Sequence, residues 1–261
     1  ALGLVCWLFE RPLEEAMHML QNKFAKKPVI AQANIKALTD GYNYGNNIHA
    51  SVSTYRIESK KAEPGFYTDV NGNKATSYGL IAAAEKAGLQ LFLGSYPITP
   101  ATDILHELSK RKDLGVITVQ AEDEIAGICT SIGASFAGCL AATSTSGPGL
   151  ALKSEAIGLA VIAELPLVII DVQRGGPSTG LPTKSEQTDL MQLCMAVMVR
   201  AAVVIAASTP TDCFDAAFWA GKLAVEHMTP VILLTDALSL TVLPLGEFRK
   251  WINIRRLSRI T

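Results

Sequence analysis

Four short stretches of this 261-residue sequence gather the residue types that do chemistry. Ser95-Tyr96-Pro97-Ile98-Thr99-Pro100 places one threonine between two prolines, whose fixed φ restricts the backbone and aims the Thr99 hydroxyl. The same threonine is equally well placed to cap a helix opening at Pro100. Gln120-Ala121-Glu122-Asp123-Glu124 sets three carboxylates at a helix start, where the helix dipole favours them. A carboxyl group taken out of water there holds its proton more tightly and can exchange it with a heterocycle. Spacing does not say which of the three would do so. Thr145-Ser146-Gly147-Pro148-Gly149 reads as a helix start beside exposed backbone donors, suited to a polar ligand edge, or as a tight turn before Pro148. The run from Gln173 to Thr183 holds one arginine, Arg174, among glycines, prolines and hydroxyls. A guanidinium takes a carboxylate through two parallel hydrogen bonds, although a lone loop arginine is also an ordinary surface residue.

Each stretch follows a short apolar segment, and the pattern around them is regular from Lys74 onward. Strands are predicted at 90–94, 115–119, 140–144, 166–171, 202–207 and 230–235. Helices are predicted at 74–87, 101–111, 122–138, 148–163 and 211–227. Strands rich in Val, Ile and Leu on both faces, separated by helices, give a doubly wound α/β parallel sheet with ligands at the strands' carboxyl ends. Ahead of it, residues 10–27 have helical periodicity and Pro28 to Ala31 reads as a short strand. From Thr39 to Gly72 glycine, asparagine and charge interrupt the pattern, as in a linker.

The totals narrow the function. A net charge of −1 with 49% hydrophobic and 18% charged residues supports a packed core and gives no field for nucleic acid or an anionic membrane. Five cysteines (Cys6, Cys129, Cys139, Cys194, Cys213) stand apart from one another, against a disulfide framework or a ligated iron–sulfur cluster. They read as small buried hydrophobes of a cytoplasmic protein. The apolar run Ala156 to Ile170 is broken by Glu164 and Pro166, so no membrane span is expected. A start at Ala1 without a charged n-region reads as a fragment or processed chain. No Walker loop, dinucleotide fingerprint, H-E-x-x-H or G-x-S-x-G motif occurs, and the sequence reads as half of a site.

The segments SYPITPATD, VQAEDEIAGICTSIGASFAG, TSTSGPGLALKSEAIGLA and ELPLVIIDVQRGGPSTGLPTKSEQTDL, in this order, resemble the α subunit of the 2-oxoacid:ferredoxin oxidoreductases, the 2-oxoglutarate type especially. The likeness runs from about Asn73 to Asp236, and residues 10–47 resemble the end of a preceding γ domain. It implies a domain that meets the aminopyrimidine of thiamine diphosphate, with Glu122 protonating that ring and Ser146 and Gly147 contacting the cofactor. Tyr96 and Thr99 would meet the 2-oxoacid, and Arg174 its carboxylate. A separate β subunit would hold the diphosphate and magnesium, an iron–sulfur cluster in a partner would pass electrons to ferredoxin, and coenzyme A would be the co-substrate. The alternatives are the same chemistry on pyruvate or another 2-oxoacid, or a non-catalytic scaffold for β.

The resemblance divides the chain into a γ-type remnant at 1–48, a linker at 49–72, the pyrimidine domain at 73–237 and an aberrant tail at 238–261. Where the family continues with a glycine-rich loop, this sequence reads Leu193-Cys194-Met195-Ala196-Val197-Met198-Val199-Arg200. One choice of codons for that stretch spells ALYGRNGE in a neighbouring frame, and the single codons of Met195 and Met198 fit it. The tail, with Trp251, fits the same explanation. Residues 193–200 and 238–261 are therefore expected to be frame-shifted.

Overall fold

Glycines that interrupt the helical pattern early in the chain are the points where two helices touch. In the computed structural model, which describes residues 1–48, 53–56, 64–65, 67–195, 203–241 and 245–247, Ala1–Pro64 and Gly65–Thr261 are separate units. The first contains α1 (Leu2–Leu8), α2 (Glu14–Lys23) and α3 (Pro28–Ile48). Pro28 to Ala31, expected as a strand, is the first turn of α3, where a proline at the opening position sacrifices no hydrogen bond. The helix also runs through Gly41 and Gly45 to Ile48, well into the stretch expected to be irregular. A Cβ on Gly45 would stand 2.5 Å from the Trp7 ring, so glycine here lets α1 approach α3.

The second unit holds β1 (Tyr67–Asp69), α4 (Gly72–Ala87), β2 (Leu91–Ser95), α5 (Thr102–Ser109), β3 (Ile117–Gln120), α6 (Glu124–Phe136), β4 (Leu140–Thr145), α7 (Gly147–Leu152), α8 (Ser154–Ile162) and β5 (Leu167–Gln173). It continues through α9 (Leu190–Met195), β6 (Val203–Ala206), α10 (Asp212–His227), β7 (Pro230–Asp236), α11 (Leu238–Thr241) and β8 (Leu245–Glu247). Six strands form one parallel sheet in the order β3-β2-β4-β5-β7-β6, the doubly wound α/β architecture read from the sequence. Local signals set the helix ends. The Asn71 side chain accepts from the Lys74 amide at 2.9 Å to start α4, and Gly88 at φ 66° closes it.

Alternate residues of each strand feed two cores. Leu91, Leu93, Ala142, Val168, Ile170 and Leu233 pack with α4, α5 and α10. Ala141, Leu167, Ile169, Ile232 and Leu234 pack with α6, α7 and α8. The connection leaving β2 through α5 runs over one face and the one leaving β4 through α7 and α8 runs over the other, so the switch point of the sheet, where such folds have their crevice, lies between the carboxyl ends of β2 and β4.

Two expectations need correction, and one pairing involves the tail. The helix expected over 148–163 is two helices that meet at Lys153, whose side chain turns inward. Cys6 and Cys213 are buried, but Cys129 and Cys194 are exposed, because each lies on the outer side of its helix. In the tail, Tyr67–Asp69 pairs antiparallel with Leu245–Glu247. Residues 196–200 and most of 242–261 lie outside the described residues.

Candidate functional site

Every stretch singled out by its chemistry lies at the carboxyl end of the sheet. The buried Ser95, last residue of β2, has its hydroxyl 2.8 Å from the Ser144 hydroxyl and donates to the Ser144 carbonyl at 3.0 Å, which ties the ends of β2 and β4 together. The Ala121 amide donates to the Ser95 carbonyl at 2.8 Å and brings the acidic turn beside them.

That turn separates the three acids. Asp123 is the helix cap, its Oδ1 accepting from the Ala126 amide at 2.7 Å. Glu124 is half-buried, with its side chain against Gly149. Glu122, between the end of β3 and the start of α6, is exposed. Capping and packing thus account for Asp123 and Glu124, and leave Glu122 as the carboxylate presented outward.

Thr99 and Arg174 are brought into contact, though not through the threonine hydroxyl. Arg174 Nη1 donates to the Thr99 carbonyl at 2.5 Å and Nη2 to the Thr179 carbonyl at 2.6 Å, while its buried Nε has no partner among the described residues. The guanidinium therefore staples the loop after β5 to the loop after β2. The Thr99 side chain is exposed and Tyr96 is half-buried beside it. Helix α5 starts at Thr102 with Ala101 at its cap, so Thr99 is not the helix cap that spacing allowed.

Ser146 and Gly147 are buried, contrary to the exposed donors expected. The cause is Asp189: a Cβ on Gly147 would stand 2.7 Å from Asp189 Oδ2, so this carboxylate covers the turn. The Ser146 hydroxyl has no hydrogen-bond partner among the described residues.

Sequence reasoning missed three titratable groups. Lys153 is fully buried, and its Nζ donates to the Glu124 carbonyl at 2.9 Å and to Thr143 Oγ1 at 3.0 Å. Burial pulls this amine down to about 8, against the opposing pull of the Glu124 and Asp123 charges. Lys153 thereby pins the first turn of α6, just after Glu122. Its signal was a single cation inside the apolar run GLALKSEAIGLA. Asp171, on β5, is buried and holds its proton well above the usual carboxylate range, through burial first and then the charge of Asp189. Asp189 is raised too, mainly by burial. An aspartate inside VIIDVQ is a strong signal, because an unpaired charge in a buried strand is expensive.

Comparison with known proteins places this geometry. Residues 82–243 match the family model described as pyruvate flavodoxin/ferredoxin oxidoreductase, thiamine diphosphate-binding. The 2-oxoglutarate oxidoreductase subunit KorA of Mycobacterium tuberculosis is 54% identical over 237 residues, 90% of this chain and 36% of that protein. The 2-oxoglutarate synthase subunit KorA of Archaeoglobus fulgidus is 40% identical over 190 residues, 70% of this chain and 54% of that one. A solved structure of the 2-oxoglutarate:ferredoxin oxidoreductase from Magnetococcus marinus with 2-oxoglutarate, coenzyme A and succinyl-CoA bound superposes with a TM-score of 0.84 at 34% identity, covering 100% of this chain and 45% of that one. The chain spans between about a third and about half of the length of these relatives. It belongs, through its thiamine diphosphate-binding domain, to the pyruvate flavodoxin/ferredoxin oxidoreductase family.

Proposed function

We propose that this chain is the pyrimidine-facing part of the α subunit of a 2-oxoglutarate:ferredoxin oxidoreductase. The observation that carries the reading is the carboxyl end of the sheet, where Glu122 faces outward and Arg174 joins the loops after β2 and β5. The residues present fit thiamine diphosphate. An aminopyrimidine needs one carboxyl group free to exchange a proton, and capping and packing leave Glu122 for that task. The unpartnered Ser146 hydroxyl and Gly147, buried beneath Asp189, serve as the floor of the site. When bound, the cofactor supplies the electron sink for loss of carbon dioxide from a 2-oxoacid. This chain's part is to hold the Glu122 proton at the ring, present Tyr96 and Thr99 to the acid and offer its carboxylate the second N–H of each Arg174 terminal nitrogen, the first being taken by the Thr99 and Thr179 carbonyls.

The remaining parts lie on partners: a β subunit with the diphosphate and magnesium, an iron–sulfur cluster leading to ferredoxin, and coenzyme A as acyl acceptor. The names of the relatives as subunits support an assembly. So does the outer surface of α6, α7 and α8, where Ile125, Leu152 and Leu159 are exposed and Phe136 and Ile162 are 84% and 82% exposed. We place the assembly in the cytoplasm, consistent with five free cysteines. Among the described residues no helix is long and apolar enough to cross a membrane.

The test is turnover of the chain assembled with its β partner, thiamine diphosphate, magnesium and coenzyme A, read by reduction of a viologen dye. Expected is faster turnover of 2-oxoglutarate than of pyruvate, with Glu122→Gln lowering kcat about 10²- to 10⁴-fold while assembly persists. Equal or faster turnover of pyruvate overturns the substrate assignment, and full activity of Glu122→Gln overturns its role.

A further inference from the structure

Asp171 is a buried acid to which no cation is bonded among the described residues. It lies on the same face of β5 as Ile169, opposite Thr145 on β4, and is fully buried. Neither of its carboxyl oxygens accepts a hydrogen bond from a donor among the described residues, and the buried Oδ2 of Asp189 is likewise without one. Asp189 covers Gly147, two residues beyond the Thr145 that stands opposite Asp171, and is the neighbouring charge that acts on it. Two neighbouring carboxylates repel, whereas an acid and a carboxylate bond through one proton.

The other charged groups nearby do not supply a counter-charge. Glu186, on the same loop as Asp189, adds further negative charge. Lys153, at the end of α7, is committed to the Glu124 carbonyl and Thr143. Asp236, at the end of β7, receives Gln187 and the Ser239 amide. Of the pair, Asp171 is fully buried and Asp189 only partly so; a charge costs more on Asp171, and the shared proton therefore sits there.

Asp189 is also a junction. Its amide donates to Gln173 Oε1 at 3.1 Å, its carboxylate covers Gly147, and it ends the loop that begins at Arg174. We propose that Asp171 is a positioning residue that keeps one proton and donates it to Asp189, latching the Arg174 loop and the Ser146–Gly147 turn to the end of the sheet. The importance of those two segments to catalysis rests on the function proposed above; the latch itself does not.

The sign of the pH dependence follows. In the unfolded chain Asp171 ionises near pH 3.9, so above that pH folding takes up a proton, and stability falls as pH rises until the folded pair releases it. Urea unfolding of the full chain at pH 5, 6 and 7 is compared with Asp171→Asn, which keeps a donor of the same shape without a titrating proton. The expected wild-type unfolding constant rises with pH relative to the variant, by at most about tenfold per pH unit. A ratio that does not change with pH overturns the proposal.

Tryptic cleavage after Lys184, within the latched loop, supplies the second reading. Asp171→Asn should stay protected, and Asp171→Val, which removes the donor, should be cut at least tenfold faster at pH 7. Equal cleavage of the two variants overturns the latch even if one is less stable. In the assembled enzyme, Asp171→Val should raise KM for the 2-oxoacid more than it lowers kcat. If the wild-type assembly shows no 2-oxoacid turnover, the functional reading fails while unfolding and proteolysis still decide the latch.

Discussion

Replacing Lys153 by methionine tests how much an unpaired charge costs at the root of the site. Methionine keeps the length of the side chain and removes the amine. The amine falls from 10.5 in an open chain to about 8 in the fold. At about 1.4 kcal/mol per pKa unit, this gap corresponds to about 3 kcal/mol of stability withheld while the lysine is charged. The withheld stability is constant below pH 8, because folded and unfolded chains are then both protonated. It is regained between pH 8 and 10.5, where folding releases the proton. Against this, Lys153→Met removes two hydrogen bonds, to the Glu124 carbonyl and Thr143, worth about 1 kcal/mol each. The variant is therefore expected to be about 1 kcal/mol more stable than wild type at pH 7 and about 2 kcal/mol less stable near pH 10.5. At roughly 2–4 °C per kcal/mol, the difference in melting temperature swings by about 6–12 °C and changes sign. Thermal unfolding of the two proteins side by side cancels every titration they share. A difference that stays flat across this range refutes the assignment of a buried, titrating lysine.

Two further substitutions probe the scaffold and the staple. A Cβ on Gly79 would stand 2.8 Å from the Ala217 Cβ and closer still to the Phe214 carbonyl, so Gly79→Ala should force α4 and α10 apart and cost about 1–3 kcal/mol in urea unfolding. Arg174→Lys keeps the charge but loses the fork that reaches both the Thr99 and Thr179 carbonyls. In the assembled enzyme KM for the 2-oxoacid should rise about 10- to 100-fold, a loss of roughly 1.4–2.7 kcal/mol, with a smaller change in kcat; an unchanged KM counts against the carboxylate role.

What could be read from the residues, and what could not, divides along physical lines. The parallel sheet was legible because β4, β5 and β7 are buried on both faces, which leaves long apolar runs. The early helices were harder. Glycine weakens a helix on average, so Gly41 and Gly45 read as breakers, yet a close crossing with α1 outweighs the propensity. At the site, motif order located the loops, but which atom does the work depended on contacts across the sheet. Spacing could not tell that Asp123 would cap, that Arg174 would bond to backbone carbonyls, or that Asp189 would cover Gly147. Those contacts join residues 42 to 75 positions apart in two cases, beyond the reach of local pattern.

The same division explains why the polar groups fall into two sets with different chemistry. Lys153, Asp171 and Ser146 are buried by this chain itself, so their proton affinities and bonding are decided before any partner arrives. Glu122 and the Thr99 side chain face outward, and their surroundings are completed only by what binds there. Enclosure of a carboxyl group between a heterocycle and a second subunit would strengthen its hold on a proton. In the assembly proposed above, such a split would tie the proton chemistry of Glu122 to the arrival of the partner. The buried set keeps the geometry rigid meanwhile: Lys153 at the acidic turn, Ser95 between β2 and β4, and Arg174 between the flanking loops. On this argument, substitutions in the buried set should alter the stability of the chain alone, and substitutions at Glu122 should alter only the assembled enzyme.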